Sequence, residues 1–314
     1  MTHAGEDELD WIAACAGATA VSRREHVQTL WGGYGALFRV QLEGGARPTA
    51  IVKRVDPPLG AGASRSDERK RRSYEVESTF YRRYAARCGA TCRVAELLGS
   101  ARRGEGWLLV LEDLEPARIE PRTRWRGDRG PLVERCLAWL AAFHATFLGV
   151  EPEGLWAVGT YWHLATRPEE LAAIEDVALR EAAPVLDGRL DAARYKTLVH
   201  GDAKEANYCL ASSPLAAVDF QYVGGGVGVK DVAYLLHGNV HSAGDEARFL
   251  DLYFTLLRGE LEARGVDDAA AVEAEWRALY RVAEADFLRF LAGWGAGPGR
   301  HAATRLFRDA LRRL

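Results

Sequence analysis

The strongest signal in this 314-residue sequence is Leu198-Val199-His200-Gly201-Asp202-Ala203-Lys204-Glu205-Ala206-Asn207, followed by Leu215-Ala216-Ala217-Val218-Asp219-Phe220-Gln221. Asp202 and Asn207 are five residues apart in a segment predicted to form a tight loop, and Asp219 ends a short apolar run. A loop and a following hairpin would bring the three polar side chains together, where they could converge on a metal-bound phosphate. The pattern therefore indicates phosphoryl transfer.

In phosphoryl transfer the protein mainly positions the reactants and stabilises charge, and it need not form covalent bonds itself. One carboxylate accepts a proton from the attacking hydroxyl or orients it, while a second carboxylate and an amide oxygen hold the Mg²⁺ that neutralises the phosphates. Asp202 fits the first role, and Asn207 with Asp219 fits the second. The alternative is that both aspartates are ordinary capping residues. We predict a catalytic Asp202 and a magnesium site made by Asn207 and Asp219.

This segment resembles the catalytic and metal-binding loops of the protein-kinase-like superfamily. It is most similar to the aminoglycoside phosphotransferase and choline kinase group, including the ecdysteroid-kinase-like branch, because Gly201 stands where protein kinases usually have Arg. Two positions need separate comment. Gln221 replaces the glycine of Asp-Phe-Gly, and Lys204 occupies a position where protein kinases have Lys. Lys204 is a candidate catalytic residue that could reach the transferred phosphate, or it is a solvated loop lysine.

A glycine cluster near the N-terminus, Gly32-Gly33-Tyr34-Gly35, precedes a predicted strand. Gly33 and Gly35 would let backbone N–H groups approach the phosphates of a nucleotide without side-chain collision. The match to G-x-G-x-x-G is incomplete because Phe38 occupies the third glycine position. A plain tight turn explains the cluster equally well.

The predicted return strand, 49–55, contains Ala50-Ile51-Val52-Lys53. This run resembles the V-A-I-K strand of kinases, and the resemblance implies that Lys53 pairs with the phosphates of ATP. Arg54 would point to the opposite face of the strand. The alternative is an edge-strand lysine that serves solubility.

A long helix is predicted from Asp67 to Arg87. Five residues at helical spacing share one face, namely Tyr74, Glu77, Phe80, Tyr81 and Tyr84. A carboxylate on an apolar face needs a partner, and the resemblance implies that Glu77 pairs with Lys53. Glu75 falls on a different face and is the weaker candidate. The alternative for Glu77 is a bond to a nearby arginine.

An apolar strand that begins at Trp107 and ends in Glu112-Asp113-Leu114 resembles the hinge between kinase lobes. The resemblance implies that the main chain at Leu111 and Asp113 binds the adenine edge. Residues 115–130 carry arginines, prolines and glycines and are predicted to be a connecting loop. The sequence does not decide whether these arginines bind an anion.

The second half predicts a mainly helical lobe. Helices are expected over 131–148 and 168–183, and two or three amphipathic helices over 245–314. His144 is expected to be a hydrogen-bonded core histidine. Asp231 is expected to bond back to the catalytic loop, to cap a helix, or to do both.

The segment Val223-Gly224-Gly225-Gly226-Val227-Gly228 is too short for a protein-kinase activation segment, and no Ala-Pro-Glu follows it. Its length favours a small-molecule acceptor over a protein. His237 and His241 are four residues apart, but no third ligand is evident, so a metal site there is not favoured.

The composition excludes several classes of protein. A net charge of −3 gives no field that would favour nucleic acid or an anionic membrane. The N-terminus does not resemble a signal peptide and no stretch is apolar enough to span a bilayer, so a cytoplasmic location is expected. The five cysteines are scattered and odd in number, which favours reduced core thiols over a zinc site.

Together these features predict an α+β, two-lobed protein-kinase-like fold. Residues 1–113 would form a small antiparallel-sheet lobe with one long helix, and residues 114–314 a larger, mainly helical lobe. The predicted reaction transfers the γ-phosphate of ATP, with Mg²⁺, to a hydroxyl of an aminoglycoside, choline-like, sugar or sterol-like acceptor. The alternatives are a protein Ser/Thr kinase and a non-catalytic nucleotide-binding scaffold, although a scaffold would be expected to lack Asp202 or Asp219.

Overall fold

The computed structural model describes residues 6–58, 64–115, 129–209, 213–240, 242–294 and 297–314. The chain divides into two compact units, Met1–Arg124 with Cys209–Gln221, and Trp125–Tyr208 with Tyr222–Leu314. The predicted functional boundary at residues 113 and 114 stays a prediction, because compactness alone does not define a functional lobe.

The first unit is built on a five-stranded antiparallel sheet with the order β1-β2-β3-β6-β5. Its strands are β1 Ala20–Thr29, β2 Gly35–Glu43, β3 Thr49–Val55, β5 Leu97–Arg103 and β6 Gly106–Glu112, while β4 is the short Arg93–Val94. In this register Lys53 lies opposite Leu37 of β2 and Leu109 of β6. Lys53 is therefore on the central strand, and the edge-strand alternative is wrong.

Side-chain alternation along β3 gives the sheet two different faces. Ala50 and Val52 pack with Ile12 of α1, Glu6–Cys15, in an apolar cluster on one face. Lys53 and Val55 point to the other face, where α2, Arg65–Arg83, lies against the sheet. The sheet thus presents its buried lysine to the long helix.

The long helix begins two residues before the predicted start and ends four residues before the predicted end. Ser64 caps its N-terminus by accepting a 3.2 Å hydrogen bond from the backbone N–H of Asp67, as serine does at many helix starts. The α-helix ends at Arg83, and Ala85–Arg87 form a separate 3₁₀ turn.

The segment that carries Asp219 returns to the first unit. Its strand β9, Ala216–Ala217, pairs in parallel with β4. Phe220 then stacks on Phe80 of α2 with ring centroids 3.9 Å apart. The metal-binding candidate is thereby attached to the helix that carries Glu77.

The second unit is mainly helical. Its helices are α3 Gly130–Thr146, α4 Pro168–Ala172, α5 Val177–Asp191, α6 Val229–His237, α7 Ala243–Ala263, α8 Ala269–Gly293 and α9 Pro298–Leu311. The strands β7 Thr197–Val199 and β10 Gly224–Gly226 form an antiparallel pair. Strand β8, Tyr208–Cys209, lies where the chain passes from the second unit to the first. The predicted α+β class is confirmed.

The single helix predicted over 168–183 is wrong. The chain forms α4 and α5 instead, because the Asp176 carboxylate accepts hydrogen bonds from the backbone N–H groups of Ala178 and Leu179 and starts a new helix. Three helices follow residue 242, which agrees with the upper number predicted. Within the described residues, no helix is both long and apolar enough to cross a membrane.

Candidate active site

Lys53 and Glu77 meet beneath the sheet of the first unit. The Lys53 Nζ atom lies 2.6 Å from Glu77 Oε2 and 3.5 Å from Asp219 Oδ1. Only 7% of the Lys53 side chain and 2% of the Glu77 side chain are exposed. The predicted ion pair is present, and the alternative of an arginine partner for Glu77 is wrong.

Charge keeps this lysine protonated. Burial by itself would lower the pKa of Lys53, but the carboxylates of Glu77 and Asp219 more than offset it and hold the pKa above its usual range. The ring of Tyr74 lies 5.5 Å below the ammonium and adds a cation–π contact. A fixed positive charge of this kind suits a phosphate group.

Asp219 has an unusual backbone and a carboxylate oxygen with spare bonding capacity. Its φ angle is 70°, in the left-handed region that non-glycine residues rarely adopt. Its Oδ1 atom is buried and accepts no hydrogen bond from any described residue. Such an oxygen fits a cation ligand, and backbone strain of this kind concentrates at functional sites.

The glycine cluster forms a tight turn at the start of β2. Gly33 and Gly35 both have positive φ angles, of 74° and 125°. A Cβ atom on Gly35 would lie 2.0 Å from the carbonyl oxygen of Arg54, so only glycine fits there. Around Gly33 no heavy atom lies within 4 Å of a built Cβ atom. The role of both glycines in nucleotide binding stays a prediction.

At the predicted hinge, the side chain of Asp113 is already used. Arg39 Nε donates to Asp113 Oδ2 at 2.6 Å, and Arg39 Nη2 donates to the carbonyl of Glu115 at 2.8 Å. Leu111 is paired in the sheet with Ile51 and Leu97. Adenine binding by the main chain of Leu111 and Asp113 stays a prediction. Sequence reasoning missed Arg39, whose signal is a charged side chain in the middle of strand β2.

The loop of the second unit that was predicted to be catalytic brings Asp202, Lys204 and Asn207 together. Asp202 Oδ2 accepts hydrogen bonds from Lys204 Nζ at 2.7 Å and from Asn207 Nδ2 at 2.9 Å. Asn207 Nδ2 also donates to the Asp202 carbonyl at 2.8 Å. These bonds use the amide nitrogen and leave Asn207 Oδ1 for a cation. The Lys204 side chain is 46% exposed.

A buried carboxylate supports this loop from below. Asp231 accepts hydrogen bonds from the backbone N–H groups of His200 at 2.6 Å and Gly201 at 2.9 Å. His144 Nε2 lies 3.1 Å from the same carboxylate, as expected for a hydrogen-bonded core histidine. The capping role considered for Asp231 is wrong, because Gly228 occupies the N-cap position of α6.

Two tyrosines that the sequence did not indicate lie beside Asp202. The backbone N–H of Tyr161 donates to the carbonyl of Gly201 at 3.0 Å, and the rings of Tyr161 and Tyr234 are 5.6 Å apart. Asp202 and Tyr161 both lie close enough to Tyr234 to influence its pKa. Burial and the Asp202 carboxylate raise the pKa of Tyr161 to about 12 and raise that of Tyr234 further. Nothing in the spacing of these residues signals their meeting.

Several candidates lie outside the described residues. They are His241 and the arginines at 118, 122, 124 and 126. None of the five cysteines, all within the described residues, forms a disulfide. Across the described ranges, no group of three or more His, Cys, Asp or Glu residues could hold a metal ion. The candidate oxygen ligands are instead the single carboxylate of Asp219 and the amide of Asn207.

Known proteins identify the chain by family and by fold. Residues 26–266 match the model of a family described as the phosphotransferase enzyme family. No curated protein sequence matches the chain. The amicoumacin kinase hAmiN has a similar structure at 16% identity, with a TM-score of 0.58 over 99% of this chain and 96% of that one. Choline kinase LicA from Streptococcus pneumoniae is similar at 15% identity, with a TM-score of 0.52 over 100% of both chains.

These likenesses agree with the sequence prediction. The two structural matches support the same kinase fold, since their identities are too low to show more than fold. The predicted phosphotransferase activity is confirmed by the family. Because the family model matches well over half of its 314 residues, the chain belongs to the phosphotransferase enzyme family.

Proposed function

We propose that this protein is a kinase that uses ATP and Mg²⁺ to phosphorylate a hydroxyl of a small molecule. The observation that carries the proposal is the buried Lys53, held 2.6 Å from Glu77 and 3.5 Å from Asp219. A buried ion pair adds little net stability because desolvation offsets the attraction, so a use in ligand binding explains this cation better than stability does. In a phosphotransferase, a nucleotide phosphate supplies that use.

Each candidate residue has a role in this reaction. Lys53, oriented by Glu77, binds the phosphates of ATP. Asp202 orients the acceptor hydroxyl and takes its proton, and Lys204 is placed to balance charge as the phosphoryl group moves. The proposed nucleotide contacts of the main chain are at Gly33, Gly35, Leu111 and Asp113.

The residues present suit a magnesium ion. Mg²⁺ prefers oxygen ligands and binds proteins through one or two carboxylates together with substrate phosphates. Asp219 Oδ1 accepts no hydrogen bond among the described residues, and Asn207 makes its hydrogen bonds to Asp202 through nitrogen. When bound, the ion neutralises negative charge on the phosphates. Asp219 and Asn207 are the residues proposed to hold it.

The acceptor is proposed to be a small molecule. Only a few residues separate Gln221 from α6, and they lack Ala-Pro-Glu, so the space for a protein-kinase activation segment is missing. The structurally similar proteins are an amicoumacin kinase, whose structure holds AMP-PNP and Ca²⁺, and a choline kinase. Amicoumacin and choline are therefore the first acceptors to try, and the sequence resemblance adds aminoglycosides. Lys53, Asp202 and Asp219 are all retained, which argues against a non-catalytic scaffold.

The first test is thermal stability with Mg²⁺ and ATP. A ligand that binds only the folded state stabilises it, by about 2.7 kcal/mol at one hundred times its Kd. We expect a rise in Tm for the wild-type protein and loss of the Mg²⁺-dependent part in Asp219→Ala. Asp56→Ala removes an exposed carboxylate of the same unit and should behave as wild type.

A positive result leads to a transfer assay. Radiolabelled γ-phosphate would be followed from ATP to choline, ethanolamine, aminoglycosides and sugars. A wild-type protein that is stabilised by neither ATP nor GTP at millimolar concentration, with or without Mg²⁺, would overturn the proposal.

A further inference from the structure

The segment Asp219-Phe220-Gln221 contacts α2 at three successive levels. Asp219 lies beside the Lys53–Glu77 pair, Phe220 stacks on Phe80, and Gln221 meets Ser73. The three helix positions, Ser73, Glu77 and Phe80, are separated by four and three residues and so lie on one face. One stripe of α2 therefore holds the whole segment.

The contact of Gln221 is the one that the family pattern does not account for. Ser73 is only 1% exposed. Its hydroxyl lies 3.3 Å from Gln221 Oε1 and 2.8 Å from the carbonyl oxygen of Lys70. A hydroxyl has one proton, so the two oxygens share it as acceptors. A glycine at position 221 would have no group to accept this bond.

The Ser73–Gln221 hydrogen bond lies two residues from Asp219, whose backbone is strained. Asp219 has a φ angle of 70°, which is disfavoured for any residue with a Cβ atom and persists only where surrounding contacts impose it. Phe220 fixes the chain on one side of α2 by stacking on Phe80 and by packing edge-on to Tyr81. The hydrogen bond from Ser73 fixes Gln221, the residue that follows Phe220. The two contacts together restrict the backbone that leaves Asp219.

We infer that Gln221 and Ser73 form a positioning pair that holds the Asp219 carboxylate beside Lys53 before a metal binds. The inference rests on the proposed function, in which Asp219 is a magnesium ligand. Neither Ser73 nor Gln221 has a role in the transfer itself. Their effect is to reduce the ordering that metal binding would otherwise require.

The test measures magnesium affinity in Ser73→Ala, Gln221→Ala and the double variant. The Mg²⁺ concentration that gives half of the ATP-dependent rise in Tm should increase about two- to tenfold in each single variant, the range expected for one hydrogen bond. The double variant should need no higher Mg²⁺ concentration for half of the rise in Tm than the more affected single variant, because both changes remove the same bond.

Ser78→Ala is the matched control. Ser78 is a second buried serine of α2, and its hydroxyl lies 3.4 Å from that of Ser100 in the sheet, away from the metal-binding segment. Its half-saturating Mg²⁺ concentration should equal that of wild type. A general loss of helix stability would affect both serine variants alike, whereas loss of the positioning pair affects only Ser73→Ala.

A second measurement needs neither metal nor nucleotide. Hydrogen–deuterium exchange of the metal-free protein should show faster exchange over 215–222 in Ser73→Ala and Gln221→Ala than in wild type or Ser78→Ala. If Mg²⁺ and ATP stabilise the wild type, but the variants have the same half-saturating Mg²⁺ concentration and the same exchange over 215–222, the inference of a positioning pair is wrong and the proposed function stands. If the wild type does not respond, the proposed function fails, and unchanged exchange over 215–222 would then overturn the pair as well.

Discussion

The two charged clusters of this protein are held in place by different means. Around Lys53, side chains of opposite charge face each other directly beneath the sheet, 2.6 and 3.5 Å apart. Around Asp202, the loop is supported through its backbone, whose N–H groups at His200 and Gly201 bind the buried carboxylate of Asp231. The first cluster depends on ion pairing, and the second depends on hydrogen bonds to the main chain.

The charges of the clusters also differ. The formal charges of Lys53, Glu77 and Asp219 in the first cluster add up to −1. Burial raises the pKa of Glu77 to about 7 against the opposing effect of Lys53. A divalent cation near Asp219 would favour the ionised form of both carboxylates. The second cluster pairs Asp202 with Lys204 and is neutral. We therefore expect changes in the first cluster to affect stability and metal binding, whereas changes at Asp202 should affect turnover and leave folding nearly intact.

The largest expected effect is that of Asp202→Asn on phosphate transfer. Asparagine keeps the size of the side chain but cannot take a proton, and positioned acid–base groups contribute about 10²- to 10⁴-fold to rates. Transfer from ATP to the acceptor should fall by that factor, while the Tm rise with Mg²⁺ and ATP remains. Asp191→Asn, at an exposed position of the same unit, should transfer normally. A rate within threefold of wild type would remove Asp202 from the mechanism.

Next in size is the effect of Glu77→Ala on stability. Removing one partner of a buried ion pair costs about 3–5 kcal/mol, because the other charge is left buried. The free energy of unfolding in urea should fall by that amount. Glu75→Ala changes the neighbouring, half-exposed pair with Arg72 and should cost less than about 1 kcal/mol. Equal losses in the two variants would mean that the Lys53–Glu77 pair adds nothing beyond a surface contact.

These differences mark what the sequence could and could not predict. Lys53, Glu77 and the Asp202 to Asn207 loop were predictable because each lies in a short pattern with fixed spacing. The contacts of Arg39 with Asp113, Ser73 with Gln221 and Tyr234 with Asp202 were not, since they join residues far apart in the chain. These contacts do not depend on the secondary-structure propensity of any residue. They depend on how whole helices and strands pack together.

Secondary structure shows the same limit. Strand β3 and helix α2 have clear periodicity and were predicted, whereas β1 was missed. Most of its residues are exposed on both faces, so it lacks the alternation by which strands are recognised. The break between α4 and α5 depends on a single capping carboxylate, Asp176. A helical pattern that continues across such a residue conceals the break.

The smallest predicted effect tests the electrostatics of the second cluster through pH. Burial, and then the carboxylate of Asp202, raise the pKa of Tyr234 above its usual range, whereas an unfolded tyrosine ionises near pH 10. The stabilisation from keeping Tyr234 protonated is thus complete below about pH 10 and is lost as the pH rises toward the folded pKa. Phenylalanine has no such proton. Between pH 10 and 11 the stability of Tyr234→Phe should therefore fall less steeply than that of wild type, by up to about 1.4 kcal/mol per pH unit.

Urea unfolding of both proteins at pH 9, 10 and 11 measures this difference. The pKa of Lys53 is also raised in the folded state, by Glu77 and Asp219 acting against burial, so its contribution falls in the same alkaline range. That contribution is common to both proteins and cancels in the comparison. A parallel decline would mean that Tyr234 ionises like a free tyrosine, which is incompatible with its burial near the Asp202 carboxylate. The loop that carries Asp202 would then be fixed by Asp231 and the main chain alone, and the contrast between the two clusters would be sharper still.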